Sequence, residues 1–315
     1  MIKLPPGVEI NNLIDKLKAF SWEASDILIK YAQIIKDSNN KSNILANNND
    51  EDPVTIADLK VNEMMIRNIT ENYKNINWEI LSEENVKTDL NNRRINKDFV
   101  WVLDPLDGTK DFMQGSGNYA MHLALNHKNK CYISIVLIPD KDELWITNYH
   151  AIWCENRKKE YTKPNLLLNN NLKDMTIVTS KNHSNQTLQN LIKKVKFKEV
   201  IEMGSIGCKI ASILRGESDI YICLSLPGES SPKDWDFAAP AAVLKAAGGA
   251  ITNINNEELI YGKSNFEQGG IIIASNNKLN HERICLEIKE VINKYDLYSF
   301  NLIKRSYWCR SRLRI

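Results

Sequence analysis

Residues 101–110 read WVLDPLDGTK. An apolar run, Trp101 to Leu103, leads into Asp104 and Asp107, with Pro105, Gly108 and Thr109 around them. Two carboxylates this close repel and raise each other's pKa unless a positive charge sits between them. Three more acids stand where an apolar element meets a turn: Asp58 in PVTIAD, Glu83 in ILSEEN and Asp236 in KDWDFAAP. Singly, each reads as a helix cap or a solvated loop acid. Together they form the hard oxygen donor set that Mg²⁺ prefers, a few carboxylates completed by water and phosphate.

A divalent ion between Asp104 and Asp107 would keep both ionised. Pro105 and Gly108 would shape the turn so that both carboxylates and the Leu106 carbonyl face the same ion. Two Mg²⁺ a few ångströms apart would hold a phosphate and a water for in-line attack. The Thr109 hydroxyl could hydrogen-bond that water, with Asp58 as its proton acceptor.

The elements that must position these residues follow from periodicity. Ile10 to Ile35 is an amphipathic helix, and the Asn-rich stretch 38–50 reads as a loop. A second helix runs from Asp58 to Tyr73, with Thr55 and Asp58 spaced as a capping box. Ile76 to Leu81 and Phe99 to Leu103 are strand-like, and Tyr119 to Asn126, Cys131 to Ile138 and Glu143 to Thr147 form an antiparallel meander. Further strands are expected at Met175 to Ser180, Asp219 to Leu224 and Ile271 to Ala274. Helices are expected at Ile206 to Arg215 and at Phe237 to Ala247, the latter ended by Gly248-Gly249. The tail 295–315 has no clear period and is basic at its end.

The 315-residue length allows a large core, and the net charge of +2 gives no field that would mark a nucleic-acid polymer or a membrane as the main partner. The six cysteines include no C-x-x-C pair and read as reduced thiols of a cytoplasmic protein. The first residues lack the apolar core of a secretory signal, and no run is long enough to span a membrane.

The segments PVTIAD (53–58), SEE (82–84), DPLDGTK (104–110) and WDFAAP (235–240) followed by GG (248–249) resemble, in type and order, those of the inositol monophosphatase superfamily of Mg²⁺-dependent, lithium-sensitive phosphatases. Within it the chain looks most like the 3'(2'),5'-bisphosphate nucleotidases of the CysQ type. Lys110-Asp111-Phe112 follows DGT where inositol enzymes usually have Thr-Asn-Phe. SKNHS (180–184) stands where nucleotidases carry Ser-Arg-Ser-His, and GSIGCK (204–209) is similar to their Gly-rich turn with a lysine.

The resemblance implies an α/β fold, an α/β/α/β/α layered sandwich. Residues 1–165 would form an N-terminal half carrying most metal ligands. Residues 166–294 would carry the substrate-binding segments and Asp236. It implies two or three Mg²⁺ held by Glu83, Asp104, the Leu106 carbonyl, Asp107 and Asp236, with water activation by Asp58 and Thr109. Substrate contacts would come from Gly108, Thr109, His183, Ser184, Gly204, Ser205, Lys209 and Asp236. The implied reaction is hydrolysis of 3'-phosphoadenosine 5'-phosphate to AMP and phosphate, with the sulfated nucleotide as a possible second substrate. Lys181-Asn182 departs from the usual Arg-Ser. In this family the stretch before PVTIAD is a mobile flap; a tolerated insertion is the alternative.

Blander readings stand beside these. Lys209 could be a solvated helix lysine, His183 a surface histidine, and Ser184 and Ser205 turn or cap residues. Trp235 is better read as core packing than as a base-stacking residue. Other reactions of the same chemistry would act on inositol monophosphate or fructose 1,6-bisphosphate. A catalytically dead relative would lack one of the acids, and all are present. A Ca²⁺ module would pack its ligands into one loop, whereas these are spread from residue 58 to residue 236.

Overall fold

The computed structural model describes residues 3–37, 45–46, 54–88, 97–148, 151–182 and 184–298. Two sheets and eight helices alternate in layers among these residues. The first sheet takes seven strands in sequence order: β1 (Glu79–Ser82), β2 (Phe99–Asp107), β3 (Ala120–His127), β4 (Lys130–Ile138), β5 (Glu143–Thr147), β6 (Ile152–Glu155) and β7 (Tyr161–Thr162). Only β1 and β2 run parallel; the other neighbours are antiparallel. The second sheet contains β8 (Thr176–Ser180), β9 (Glu199–Met203), β10 (Ile220–Leu224), β11 (Ala250–Asn253) and β12 (Ile271–Ser275), in the order β11-β12-β10-β8-β9.

Side-chain alternation along the strands assigns the faces. Trp101, Leu103, Leu123, Leu125, Ile133 and Ile135 join one apolar cluster with α1 (Ile10–Asp37) and α2 (Ile56–Asn72). Val100, Val102, Ala124 and Val136 point the other way. They meet α6 (Ile206–Leu214), α7 (Asp234–Ala246) and the inner residues Val178, Tyr221, Ile272 and Ala274 of the second sheet. The outer residues Ile177, Ile220, Ile222 and Ile273 pack on α5 (Gln186–Val195) and α8 (His281–Lys294). The sequence is therefore α/β/α/β/α in layers, as the resemblance implies. Each fully buried aliphatic side chain in these clusters contributes roughly 1.5–3 kcal/mol of transfer free energy.

Two differences from the sequence expectation matter for the site. The strand expected to stop at Leu103 continues through DPLD to Asp107. The register against β3 pairs Asp104 with His122 and Asp107 with Ala120, so β2 carries one extra residue there. Strict alternation would place residues 104 and 107 on opposite faces; the bulge flips the parity and turns both acids to the same side. Leu106 goes to the other face, into the α1/α2 cluster. Second, α7 begins at Asp234, three residues before its apolar pattern, because Asp234 and Asp236 suit the positive end of a helix. The short helices α3 (Glu83–Thr88) and α4 (Thr109–Gln114) follow β1 and β2 directly.

Among the described residues no helix is long and apolar enough to cross a membrane. The five described cysteines form no disulfide, and Cys309 lies outside the described residues. So do His183, most of the Asn-rich stretch 38–50 and residues 299–315 of the tail.

Candidate active site

The site is assembled from the ends of elements. The parallel pair β1–β2 aligns Ser82 with Leu103, so Glu83, the first residue of α3, emerges beside Asp104. The bulge aims Asp104 and Asp107 inward from β2. Asp236, in the first turn of α7, arrives from the opposite layer, its carboxylate accepting from the Lys233 N–H at 2.5 Å. One oxygen each from Asp104, Asp107 and Asp236 lie within 4.8 Å of one another.

These groups cannot all be ionised comfortably. Burial, the charges of Glu83, Asp107 and Asp236, and a hydrogen bond with Glu83 hold the Asp104 carboxyl well above the usual range. Burial and the charges of Asp107 and Glu83 do the same to Asp236. Cations lie near: Lys87 is 3.0 Å from Glu83, and His122 Nε2 is 3.3 Å from Asp107 Oδ2. Burial, however, lowers the His122 pKa and favours the neutral ring. A closely spaced, desolvated and strongly repelling set of hard oxygens fits a divalent cation.

Asp58 stands beside this cluster. It is the third residue of α2, and Thr55 caps that helix. The Thr55 N–H donates to Asp58 Oδ2 at 2.8 Å, and the Thr55 hydroxyl binds the same oxygen. Oδ1 is left to face the Thr109 hydroxyl at 3.3 Å. Thr109 Oγ1 also lies 3.0 Å from the Leu106 carbonyl. Burial pushes Asp58 up to about 7; the Thr55 hydrogen bond opposes the shift, and the charges of Glu84 and Glu83 add to it. A carboxylate with that pKa is suited to accept a proton near neutral pH.

The expected substrate residues are distributed as follows. Gly108 has φ +88° and caps α4; a methyl group there would meet the Asn118 carbonyl at 2.9 Å and Ser205 Cβ at 3.1 Å. Gly204 is buried, and a methyl group on it would overlap the Asp111 carboxyl. Ser205 is a cap: its hydroxyl accepts from Cys208 N–H at 3.1 Å and donates to Asp107 at 2.6 Å. Ser184 is half-buried. Lys209 is only 3% exposed, which excludes a solvated lysine. Its ammonium donates to the Ser205 carbonyl at 3.2 Å and lies 5.3 Å from the Tyr221 ring centre. Burial lowers its pKa, while the charge of Asp107 works against that. Trp235 is buried and packs near Phe266, with ring centres 6.1 Å apart, in keeping with core packing.

Sequence reasoning missed two residues. His122 is fully buried behind the acids, with Nδ1 3.3 Å from the Trp235 carbonyl. Its signal was a titratable residue at an inward position of an apolar strand. Asp111 is also buried, and accepts from Ser116 Oγ at 2.9 Å and Asn182 Nδ2 at 2.5 Å.

The chain is 29% identical over 217 residues to the 3'(2'),5'-bisphosphate nucleotidase CysQ of Haemophilus influenzae, covering 67% of this chain and 76% of that protein. It is 30% identical over 164 residues to the CysQ nucleotidase of Buchnera aphidicola, covering 52% of this chain and 58% of that protein, so the match spans little more than half of that relative's length. The IMPase of Thermotoga maritima superposes with a TM-score of 0.69 over 90% of this chain and 99% of that one, at 19% identity, which shows the shared fold. The family model described as "Inositol monophosphatase family" matches residues 11–293. That match spans both sheets and every acid described above, and the chain belongs to the inositol monophosphatase family.

Proposed function

We propose that the protein is a cytoplasmic, Mg²⁺-dependent phosphomonoesterase that removes the 3'-phosphate of 3'-phosphoadenosine 5'-phosphate, with the sulfated nucleotide as a second substrate. The observation that carries the reading is the convergence of Asp104, Asp107 and Asp236 within 4.8 Å, with the Asp58–Thr109 pair at its edge. Glu83, Asp104, Asp107, Asp236 and the Leu106 carbonyl would hold two or three Mg²⁺. When bound, Mg²⁺ supplies positive charge for the phosphoryl oxygens and makes water more acidic.

The chain's own residues do the rest. Thr109 takes the water proton and passes its own to Asp58 Oδ1, while Thr55 fixes Asp58 through Oδ2. The α6 turn, from Gly204 to Lys209, and Ser184, with its neighbour His183, would meet the nucleotide. The proposed division of labour follows the chain: residues 1–165 supply most of the ligands, and residues 166–294 supply Asp236 and the substrate segments. The relatives named as bisphosphate nucleotidases support the nucleotide over other esters.

One observation favours a second reading, a monophosphate of a polyol or sugar. The Lys209 ammonium is buried and engaged, and Lys181 is tied to Gln114, which leaves less free positive charge for a second phosphate. Phosphate release from the nucleotide bisphosphate, its sulfated form, inositol 1-phosphate and fructose 1,6-bisphosphate, with and without Mg²⁺, separates the readings. Inositol phosphate cleaved as fast as the nucleotide would overturn the nucleotidase assignment.

A further inference from the structure

The side chains of the Lys181-Asn182 pair have specific partners. Asn182 Nδ2 donates to Asp111 Oδ2 at 2.5 Å. Gln114 Nε2 donates to Asn182 Oδ1 at 3.1 Å, and Lys181 Nζ donates to Gln114 Oε1 at 2.9 Å. The Lys181 N–H also reaches the Met203 carbonyl at 3.3 Å, immediately before the Gly204 turn. Asp111 is buried, its other oxygen is held by Ser116, and Gly204 packs so closely on its carboxyl that a side chain there has no room.

Three segments thus meet on one carboxylate. They are α4, which begins with Thr109; the loop that leads into Ser184; and the turn that carries Gly204 and Ser205. None of the contacts involves a proposed metal ligand. We propose that Asp111 is a positioning residue: it clamps the 181–182 loop and the Gly204 turn onto α4, and so fixes the segments that bind the nucleotide away from the metal site. This inference rests on the nucleotidase reading for its choice of substrate.

A swap of the hydrogen-bonding pair tests it. Asn182→Asp alone sets two carboxylates against each other. It should raise KM for 3'-phosphoadenosine 5'-phosphate about tenfold while kcat changes less than about twofold. KM for 4-nitrophenyl phosphate, which is too small to reach these segments, should stay unchanged. Adding Asp111→Asn restores a donor and an acceptor, and should bring KM back to within about twofold of the wild type. Hydrogen exchange at amides 181, 182 and 204–208 reads the clamp without any substrate: faster in Asn182→Asp, restored in the double variant. Exchange that stays at the wild-type rate in Asn182→Asp, or no recovery in the double variant, would overturn the clamp. A wild-type protein that ignores the nucleotide but shows the exchange pattern would overturn the substrate assignment alone.

Discussion

The Ser205 hydroxyl donates to the Asp107 carboxylate at 2.6 Å, and the Gly207 N–H reaches the same oxygen at 3.0 Å. Asp107 closes β2 of the first sheet; Ser205 caps α6, which follows β9 of the second. The acid cluster and the turn assigned to the substrate are therefore one hydrogen-bonded unit. Removing the contact itself, at Ser205 or Asp107, is expected to register in both metal binding and substrate binding; the variants below leave it in place and so separate the two.

Asp104→Asn removes one of the crowded charges. Turnover should fall by about a thousandfold or more, because the phosphoryl group loses its cation support. The metal-free variant should melt higher than the metal-free wild type, since burial and three neighbouring acids strain this carboxylate. The rise in melting temperature on adding Mg²⁺ should shrink. Differential scanning fluorimetry with EDTA or Mg²⁺ reads both effects; an unchanged Mg²⁺ response would mean that Asp104 holds no ion.

Asp58→Asn should cut kcat by about 10²–10⁴ while leaving KM and the Mg²⁺-induced melting shift in place, since Asp58 is assigned to the proton and not to the metal. Stability adds a sign. The folded pKa of about 7 lies above the ordinary 3.8, so the metal-free fold retains a proton that the unfolded chain gives up. This group's contribution therefore declines as pH rises from about 4 to about 7. Urea melts across that window should be flatter in Asp58→Asn than in the wild type.

Lys209→Met keeps most of the volume and removes the ammonium. KM for the nucleotide bisphosphate should rise about tenfold and that for 4-nitrophenyl phosphate should stay put, if the charge meets the second phosphate. Equal losses on both substrates would assign Lys209 to holding the Ser205 carbonyl and nothing more.

His281 predicts a pH effect of the opposite sign to Asp58. Its ring is buried between the Ser275 hydroxyl at 2.7 Å and the Thr252 hydroxyl at 2.8 Å, and burial lowers its pKa to about 4. The unfolded chain takes up a proton near 6.5 and the folded chain only near 4. This contribution is therefore complete above pH 6.5 and is lost as pH falls toward 4, amounting to roughly 3 kcal/mol. His281→Gln should remove that slope from the difference between denaturation midpoints at pH 5 and pH 7.

Much of this was legible in the residues. Alternation revealed the β3–β5 meander, the Thr55/Asp58 spacing revealed the α2 cap, and the acids at element ends marked the site. What escaped depends on three-dimensional context. β9 reads EVIEM and sits at a sheet edge with little burial, so no apolar pattern announces it. α5 and α8 do carry helical spacing, at Leu188, Leu191 and Val195 and at Ile284, Ile288 and Ile292, but the polar residues between and around these positions dilute the pattern. The bulge at Asp104–Asp107 looked like a strand ending in a turn, because Pro105 and Gly108 suggest one; it is pairing with β3 that keeps the chain in the sheet. For Lys209 a solvated helix lysine stood open beside the substrate contact, since nothing local says that a tertiary layer will cover it.

Gly207 lies against His122, leaving its α-carbon no space for even a methyl group before it strikes the imidazole. Evolutionary drift at these positions is consequently linked: a lineage that enlarges residue 207 must find room at residue 122 and also beside Ala120 and Val136, whose side chains stand 2.9 and 3.0 Å from that methyl position. Paired substitution at these sites, visible across diverged genomes, would be the historical imprint of a steric fit between a helix start and a strand that lie 85 positions apart.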